Sequence, residues 1–169
     1  MENLIAAFSG GNNITKEIID NINLECDKLI LSSSYNILCS QIKNKLCQNR
    51  YSKMIILGSL RFAKGIVIER FALNITKSNN KVVENGNDGY MTTFNLNKLY
   101  QFFIDNKIQA KITNYSDCGS CNYAYYLALY LNSIVYNSKI KIVFIHVPPK
   151  DRAITDFLIN NINKIFELE

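Results

Sequence analysis

Short apolar segments alternate with amphipathic segments along almost the whole chain of 169 residues. Runs in which nearly every residue is apolar are typical of strands buried on both faces, whereas apolar residues that recur every three or four positions are typical of helices. Strands that alternate with helices favour a sheet covered by helices on both faces. We therefore predict a single-domain α/β protein over residues 1–169, with one mostly parallel or mixed open sheet.

The predicted strands are the apolar runs, several of which are rich in β-branched residues. They are Leu4–Phe8, Lys28–Ser32, Met54–Gly58, Ile66–Leu73, Ala110–Thr113 and a last strand from Lys141 to His146. The predicted helices are Ile14–Ile22, Ile37–Cys47, Leu96–Phe103, Asn122–Val135 and Ile154–Phe166. The polar stretch 76–88 is dominated by turn residues, so we predict only a short hairpin there, around Val82 and Val83.

Charge and composition exclude several classes of function. The net charge is only +5, and the 19 Lys and Arg residues form no block, so we expect no nucleic-acid partner. No charged residue occurs between Cys118 and Ser138, but asparagines and tyrosines interrupt that stretch, so we expect a buried helix and no membrane partner. The beginning of the chain lacks the pattern of a signal peptide. Together with five cysteines, this predicts a cytoplasmic protein with reduced thiols.

The chain contains one histidine, His146, which ends the last predicted strand before Pro148 and Pro149. Imidazole is the usual proton carrier near neutral pH, so any histidine-based acid–base chemistry must use this residue. The carboxyl end of such a strand faces the crevice in which open α/β sheets hold their ligands. The structural alternative is a histidine that merely forms a hydrogen bond at a strand end.

Two cysteines, Cys118 and Cys121, stand where a predicted strand turns into a helix. A helix N-terminus favours a thiolate, and its backbone amides could stabilise an oxyanion. Cys121 is the better placed of the two because it directly precedes the apolar helix. The spacing also permits a redox disulfide, although the pair comes too late in the chain for a thioredoxin-like fold. A zinc site would need further ligands at matching spacing, so we predict no metal.

Glu69 lies inside an apolar run, where an unpaired buried carboxylate would be costly. An ion pair with Arg70 would explain it, but neighbours on a strand point to opposite faces. A position on a solvent-facing edge strand is the other structural explanation. A carboxylate held against an imidazole could instead orient the ring, as the third member of a nucleophile–base triad does.

Taken in order, these motifs resemble the pyroglutamyl peptidase I family of cysteine peptidases. The resemblance is carried by the segments around Glu69, Cys121 and His146, which read IERFALN, CNY with a following Tyr125, and FIHVP. Weaker similarities cover the opening segment 4–11, residues 31–35, Leu57–Gly58 and the segment 88–93. The order of glutamate, cysteine and histidine is also that of the family.

The resemblance implies a phosphorylase/hydrolase-like fold and the removal of N-terminal pyroglutamate from peptides. It implies Cys121 as the nucleophile, His146 as general base and acid, and Glu69 as the residue that orients His146, with a thioester intermediate. Phe8, Ser120 and Asn122 would contact the substrate. No cofactor is implied, and a homodimer or homotetramer is expected.

The sequence departs from the family pattern in its loops. The opening loop is shorter and leaves Phe8 as its only aromatic residue, and Ser59–Lys64 replaces a glycine-rich turn after the third strand. Two alternatives therefore stay open at this point. One is a non-catalytic homologue that binds peptide ends, and the other is a thiol–disulfide protein that uses Cys118 and Cys121.

Overall fold

A computed structural model describes residues 2–9, 14–48, 50–114 and 119–168. Residues Gly10 and Gly11 of the opening segment and Cys118 lie outside the described residues. The strands are β1 (Glu2–Phe8), β2 (Asp27–Leu31), β3 (Tyr51–Ser59), β4 (Ile66–Glu69), β5 (Phe71–Leu73), β6 (Gly89–Met91), β7 (Ala110–Thr113) and β8 (Lys141–Val147). The helices are α1 (Ile14–Asn21), α2 (Tyr35–Gln48), α3 (Leu96–Asp105), α4 (Ser120–Val135) and α5 (Arg152–Glu167).

Six strands form the main sheet, in the order β2-β1-β3-β8-β4-β7. Strands β2, β1, β3 and β8 run parallel to one another, β4 is antiparallel to β8, and β7 is parallel to β4. The predicted mixed open α/β sheet is confirmed. We call the edge at which β1, β3 and β8 end the carboxyl edge, because loops and ligand sites collect there in open α/β sheets.

Alternating side chains of each strand supply two separate hydrophobic layers. On one face, residues such as Leu4, Ile56 and Phe144 pack against α2 and α4. On the other face, residues such as Ile5 and Val143 pack against α1, α3 and α5. Both faces of the central strands are therefore buried, which explains their nearly continuous apolar sequences.

The predicted single strand over Ile66–Leu73 is wrong, because it is two strands in two sheets. The chain leaves the main sheet at Arg70, whose N–H donates to Thr113 O at 2.9 Å and whose carbonyl accepts from Thr92 N at 2.9 Å. Beyond that point β5 pairs antiparallel with β6. The hydroxyl of Thr92 then donates to Ile142 O at 2.7 Å, so a side chain replaces the missing strand partner beside β8.

The predicted hairpin around Val82 and Val83 is also wrong, because these residues lie in a loop. The buried side chain of Asn74 fixes the loop: its amide nitrogen donates to Val83 O at 2.8 Å and to Gly86 O at 3.1 Å, and its oxygen accepts from Val83 N at 2.9 Å. One side chain thus satisfies backbone groups that a strand partner would otherwise bind. The short strand β6 was not predicted, because three residues carry no periodicity.

Candidate active site

Strand pairing places Glu69 and His146 on the same face of the sheet. In the antiparallel β4–β8 pair Glu69 stands opposite Phe144, and His146 lies two residues further along β8 on the same face. Such diagonal neighbours are within reach of long side chains. His146 Nδ1 and Glu69 Oε1 are 2.9 Å apart, and the two side chains are only 5% and 6% exposed. The two most unusual residues of the sequence are thus a buried hydrogen-bonded pair.

The hydrogen bond determines how the imidazole can react. When Glu69 is ionised its carboxylate can only accept, so the hydrogen bond then requires the N–H of the ring to be at Nδ1. The proton exchange of a neutral ring then occurs at Nε2. A carboxylate in this position also stabilises the imidazolium that forms when Nε2 takes up a proton. In this arrangement Nε2 of the oriented ring could act as a general base.

Gly58 makes room for the two rings on this face. It stands opposite His146 in the β3–β8 register. A Cβ atom at position 58 would lie 2.6 Å from Phe144 Cζ and 3.0 Å from His146 Cδ2. The ring centroids of Phe144 and His146 are 4.8 Å apart. A side chain at this position would push both rings away, so the glycine has a packing role that its place at a strand end did not reveal.

Tyr125 connects helix α4 to the same pair. Its hydroxyl donates to the backbone oxygen of Glu69 at 3.2 Å, and its ring centroid lies 5.6 Å from that of Phe144. The side chain is completely buried, and burial raises its pKa above the ordinary tyrosine value, so it stays neutral. It thus fixes the end of β4 against α4. Sequence reasoning noted Tyr125 only as part of a motif.

Cys121 is the second residue of α4 and lies one turn before Tyr125 on the same face of the helix. Its side chain is half-buried and packs against the hydrophobic layer that includes Phe144. The far end of α4 is held at the start of β8, where Asn132 Nδ2 donates to Ile140 O at 2.8 Å, so the N-terminus of the helix points toward the carboxyl edge. The N–H groups of a first helical turn point toward that terminus, where they favour negative charge on a nearby thiol.

The three predicted substrate contacts occupy different positions at this edge. Phe8 ends β1 and is buried on the same face as His146, and Ser120 is the half-buried first residue of α4. Asn122 is buried, and its amide bonds the segment after Glu69. It accepts from Leu73 N at 2.8 Å and donates to Leu73 O at 2.8 Å and to Ile75 O at 2.9 Å. Their contacts with substrate stay predictions.

Within the described ranges, no group of three or more His, Cys, Asp or Glu side chains could hold a metal ion. The described cysteines, Cys26, Cys39, Cys47 and Cys121, are thiols and form no disulfide. The described part of the chain also has no helix long and apolar enough to cross a membrane.

These features define an α/β protein with a buried carboxylate–imidazole pair beside a helix whose first turn contains a cysteine. The family model for pyroglutamyl peptidase matches residues 9–164, and the chain belongs to that family. The resemblance found in the sequence is thereby confirmed.

A pyrrolidone-carboxylate peptidase from Clostridium perfringens is 26% identical to this chain, over 88% of the chain and 78% of the relative. Two solved structures share the fold. The pyrrolidone carboxyl peptidase from Fervidobacterium islandicum matches with a TM-score of 0.84 and 20% identity, over 98% of this chain and 96% of its own. The enzyme from Thermococcus litoralis matches with a TM-score of 0.77 and 25% identity, over 88% and 77%.

Proposed function

We propose that the chain is a cysteine exopeptidase that removes N-terminal pyroglutamate from peptides, with Cys121, His146 and Glu69 as its catalytic residues. The observation that carries the proposal is the buried hydrogen bond of 2.9 Å between His146 Nδ1 and Glu69 Oε1. In a nucleophile–base triad, the third group orients the base through a hydrogen bond of this kind. The position of Cys121 one turn from Tyr125, which itself bonds the backbone of Glu69, supports it as the nucleophile.

The proposed reaction has two stages. In the first, the Sγ of Cys121 attacks the pyroglutamyl carbonyl carbon while Nε2 of His146 takes the thiol proton. The N–H groups at the start of α4, that of Cys121 among them, stabilise the oxyanion. The carbon–nitrogen bond then breaks, His146 gives its proton to the leaving amine, and a thioester remains on Cys121.

In the second stage water hydrolyses the thioester. His146 removes a proton from the water, whose oxygen attacks the thioester carbon. The carbon–sulfur bond breaks, pyroglutamate leaves as the acid, and the proton returns to Cys121. Glu69 keeps the ring oriented and stabilises its charged form in both stages. Besides the substrate, the proposed steps need only groups of the chain and one water molecule, so the proposal calls for no cofactor.

For the substrate pocket we propose that Phe8 packs against the lactam ring and that Ser120 lines the entrance beside Cys121. Asn122 would act by holding Leu73 and Ile75, which follow the catalytic Glu69. We also infer that residues 1–169 act as one domain in the cytoplasm, as a homodimer or homotetramer, with peptides as substrates and no nucleic-acid or membrane partner. The described cysteines, which are all thiols, support this location.

The decisive experiment compares Cys121→Ala with Cys26→Ala on a pyroglutamyl-coumarin amide. Both thiols are half-buried, but Cys26 precedes β2 at the opposite edge of the sheet. We expect Cys121→Ala to abolish hydrolysis, whereas Cys26→Ala keeps wild-type turnover, with both variants folded by circular dichroism. Unchanged turnover in Cys121→Ala would overturn the assignment. Peptide binding without hydrolysis by the wild type would favour the non-catalytic alternative.

A further inference from the structure

The loop after β3 is fastened beside His146. In the β3–β8 register Gly58 pairs with His146 and Ser59 pairs with Val147. The loop then begins with Leu60, whose N–H donates to Val147 O at 3.1 Å, and it turns back where Ala63 N donates to Leu60 O at 3.0 Å. The residues that follow Leu60 are therefore held close to the end of β8.

A groove of about 530 Å³ separates this loop from the residues that follow β8. Residues 61–64 form one wall and residues 148–152 form the other. Phe62 stands on the first wall with 86% of its surface exposed, and Arg61 Cζ lies 5.5 Å from the centre of its ring. A single exposed ring is ordinary on a protein surface, so it is the charges of the groove that point to a ligand.

The charges in the groove are predominantly positive. The carboxylate of Asp151 is occupied as the cap of α5, where it accepts from Ile154 N at 3.1 Å. Arg152 pairs with Glu17 and with Asp156. In contrast, Arg61, Lys64 and Lys150 pair with no carboxylate among the described residues. These three cations are left to attract an anion from outside.

The proposed reaction indicates which anion would come there. His146 gives its proton to the leaving amine, so the leaving part of the peptide begins at His146. An extended peptide advances about 3.3 Å per residue. The second or third residue of the leaving part therefore lies about 7–10 Å from the bond that is cut. The three cations of the groove that pair with no described carboxylate come shortly after the two strand ends beside His146. Arg61 and Lys64 follow Ser59, and Lys150 follows Val147. They lie on the two chain segments that leave the sheet next to His146.

We propose that this cationic groove, formed by residues 61–64 and 148–152, binds a carboxylate of the leaving peptide. The proposal rests on the proposed function, because it takes His146 as the proton donor. The carboxylate can be an acidic side chain or the C-terminal carboxylate of a short peptide. The groove thus makes the chain selective for acidic or very short pyroglutamyl peptides.

The test measures kcat/KM for matched substrates that differ by one charge. Pyroglutamyl-Ala-Glu-amide is compared with pyroglutamyl-Ala-Gln-amide for the side chain. Pyroglutamyl-Ala-Ala is compared with its amide for the terminal carboxylate. For at least one pair we expect an acidic-to-neutral ratio of about 3 to 10 at low salt, which falls toward one in 0.5 M NaCl as the charges are screened. The pair that shows the ratio identifies the source of the carboxylate.

The variants separate the groove from the net charge of the protein. Arg61→Gln with Lys64→Gln removes two charges from the groove, and Lys43→Gln with Lys98→Gln removes two from exposed positions on α2 and α3. We expect the first pair of changes to bring the ratio close to one and the second to leave it unchanged. A ratio near one in the wild type, or an equal fall in both double variants, would overturn the proposal.

Binding to the Cys121→Ala protein gives the same comparison without catalysis. Fluorescence anisotropy with labelled forms of the four peptides reports their affinities directly. If the wild type does not hydrolyse them but the acidic peptides bind more tightly through Arg61 and Lys64, the peptidase assignment fails and the groove stands. Equal affinities for acidic and neutral peptides would refute the groove whether or not hydrolysis occurs.

Discussion

Two acid–base pairs at opposite edges of the sheet have similar bond lengths and very different surroundings. At the carboxyl edge His146 Nδ1 lies 2.9 Å from Glu69 Oε1, and both side chains are at most 6% exposed. At the other edge Lys45 Nζ lies 2.7 Å from Asp27 Oδ2, with exposures of 25% and 34%. Burial strengthens an electrostatic interaction and removes competing water, so only the first pair is suited to direct a reaction.

The difference also determines what each pair does for stability. A buried pair is costly to form, because two polar groups lose their water. Removal of one partner is also costly, because it leaves the other buried without a partner. A partly exposed pair contributes little in either direction, since water replaces the lost partner. We therefore expect the buried pair to control activity and the exposed pair to affect only stability.

The largest effect is expected for Glu69→Gln. The amide can still accept from His146 Nδ1 but cannot stabilise the imidazolium, and it can hold the ring in the wrong tautomer by donating to it. We expect kcat/KM on a pyroglutamyl amide to fall by about 10²–10⁴, the scale seen when the orienting carboxylate of a triad is neutralised. Asp27→Asn is the matched control and should keep wild-type activity. A fall of less than threefold for Glu69→Gln would show that the carboxylate does not assist His146.

Much of this buried pair could be predicted from the sequence. His146 is the only histidine, and Glu69 is a carboxylate in an apolar run, so the sequence alone points to both residues. The supporting residues could not be found in this way. Gly58 matters because two rings on a neighbouring strand lie over it, and that contact depends on strand order. Such a relation is a property of tertiary packing.

The fold, like the site, could be predicted where the sequence pattern determines it and not where tertiary contacts do. The long periodic segments gave helices and central strands with bounds within a few residues of those observed. The prediction failed where side chains take the place of backbone pairing. Arg70 marks a change of sheet inside one apolar run, and the Asn74 amide holds the loop that was expected to be a hairpin. Neither effect alters the periodicity of apolar residues, on which the predicted helices and strands depend.

An intermediate effect is expected for Tyr125→Phe, with Tyr126→Phe as the matched control. Both hydroxyls donate to a backbone oxygen, that of Tyr125 to Glu69 at 3.2 Å and that of Tyr126 to Asn87 at 2.6 Å. Each change should lower the free energy of unfolding by about 0.5–1.5 kcal/mol, measured by urea denaturation. Only Tyr125→Phe should also lower kcat, by a few fold, because it loosens the strand end that carries Glu69. Equal kcat values in the two variants would mean that this hydroxyl has only a structural role.

The smallest effect is expected at the partly exposed pair of Lys45 and Asp27. It concerns the free energy of unfolding, and it should depend on pH. The side-chain hydrogen bond from Lys45 is the main cause that lowers the pKa of Asp27, and one from Tyr51 adds to it. A lowered pKa in the folded state gives stability that is present above the unfolded value, near 3.9, and is lost as the pH falls through the folded value. We expect Asp27→Asn to reduce the free energy of unfolding by roughly 0.2–1 kcal/mol at pH 6. Urea denaturation of both proteins between pH 6 and pH 2.5 should show this difference shrinking toward zero at the acid end. A difference that stayed constant over that range would mean that the charge of Asp27 makes no contribution, and that the variant acts through packing or hydrogen bonding alone.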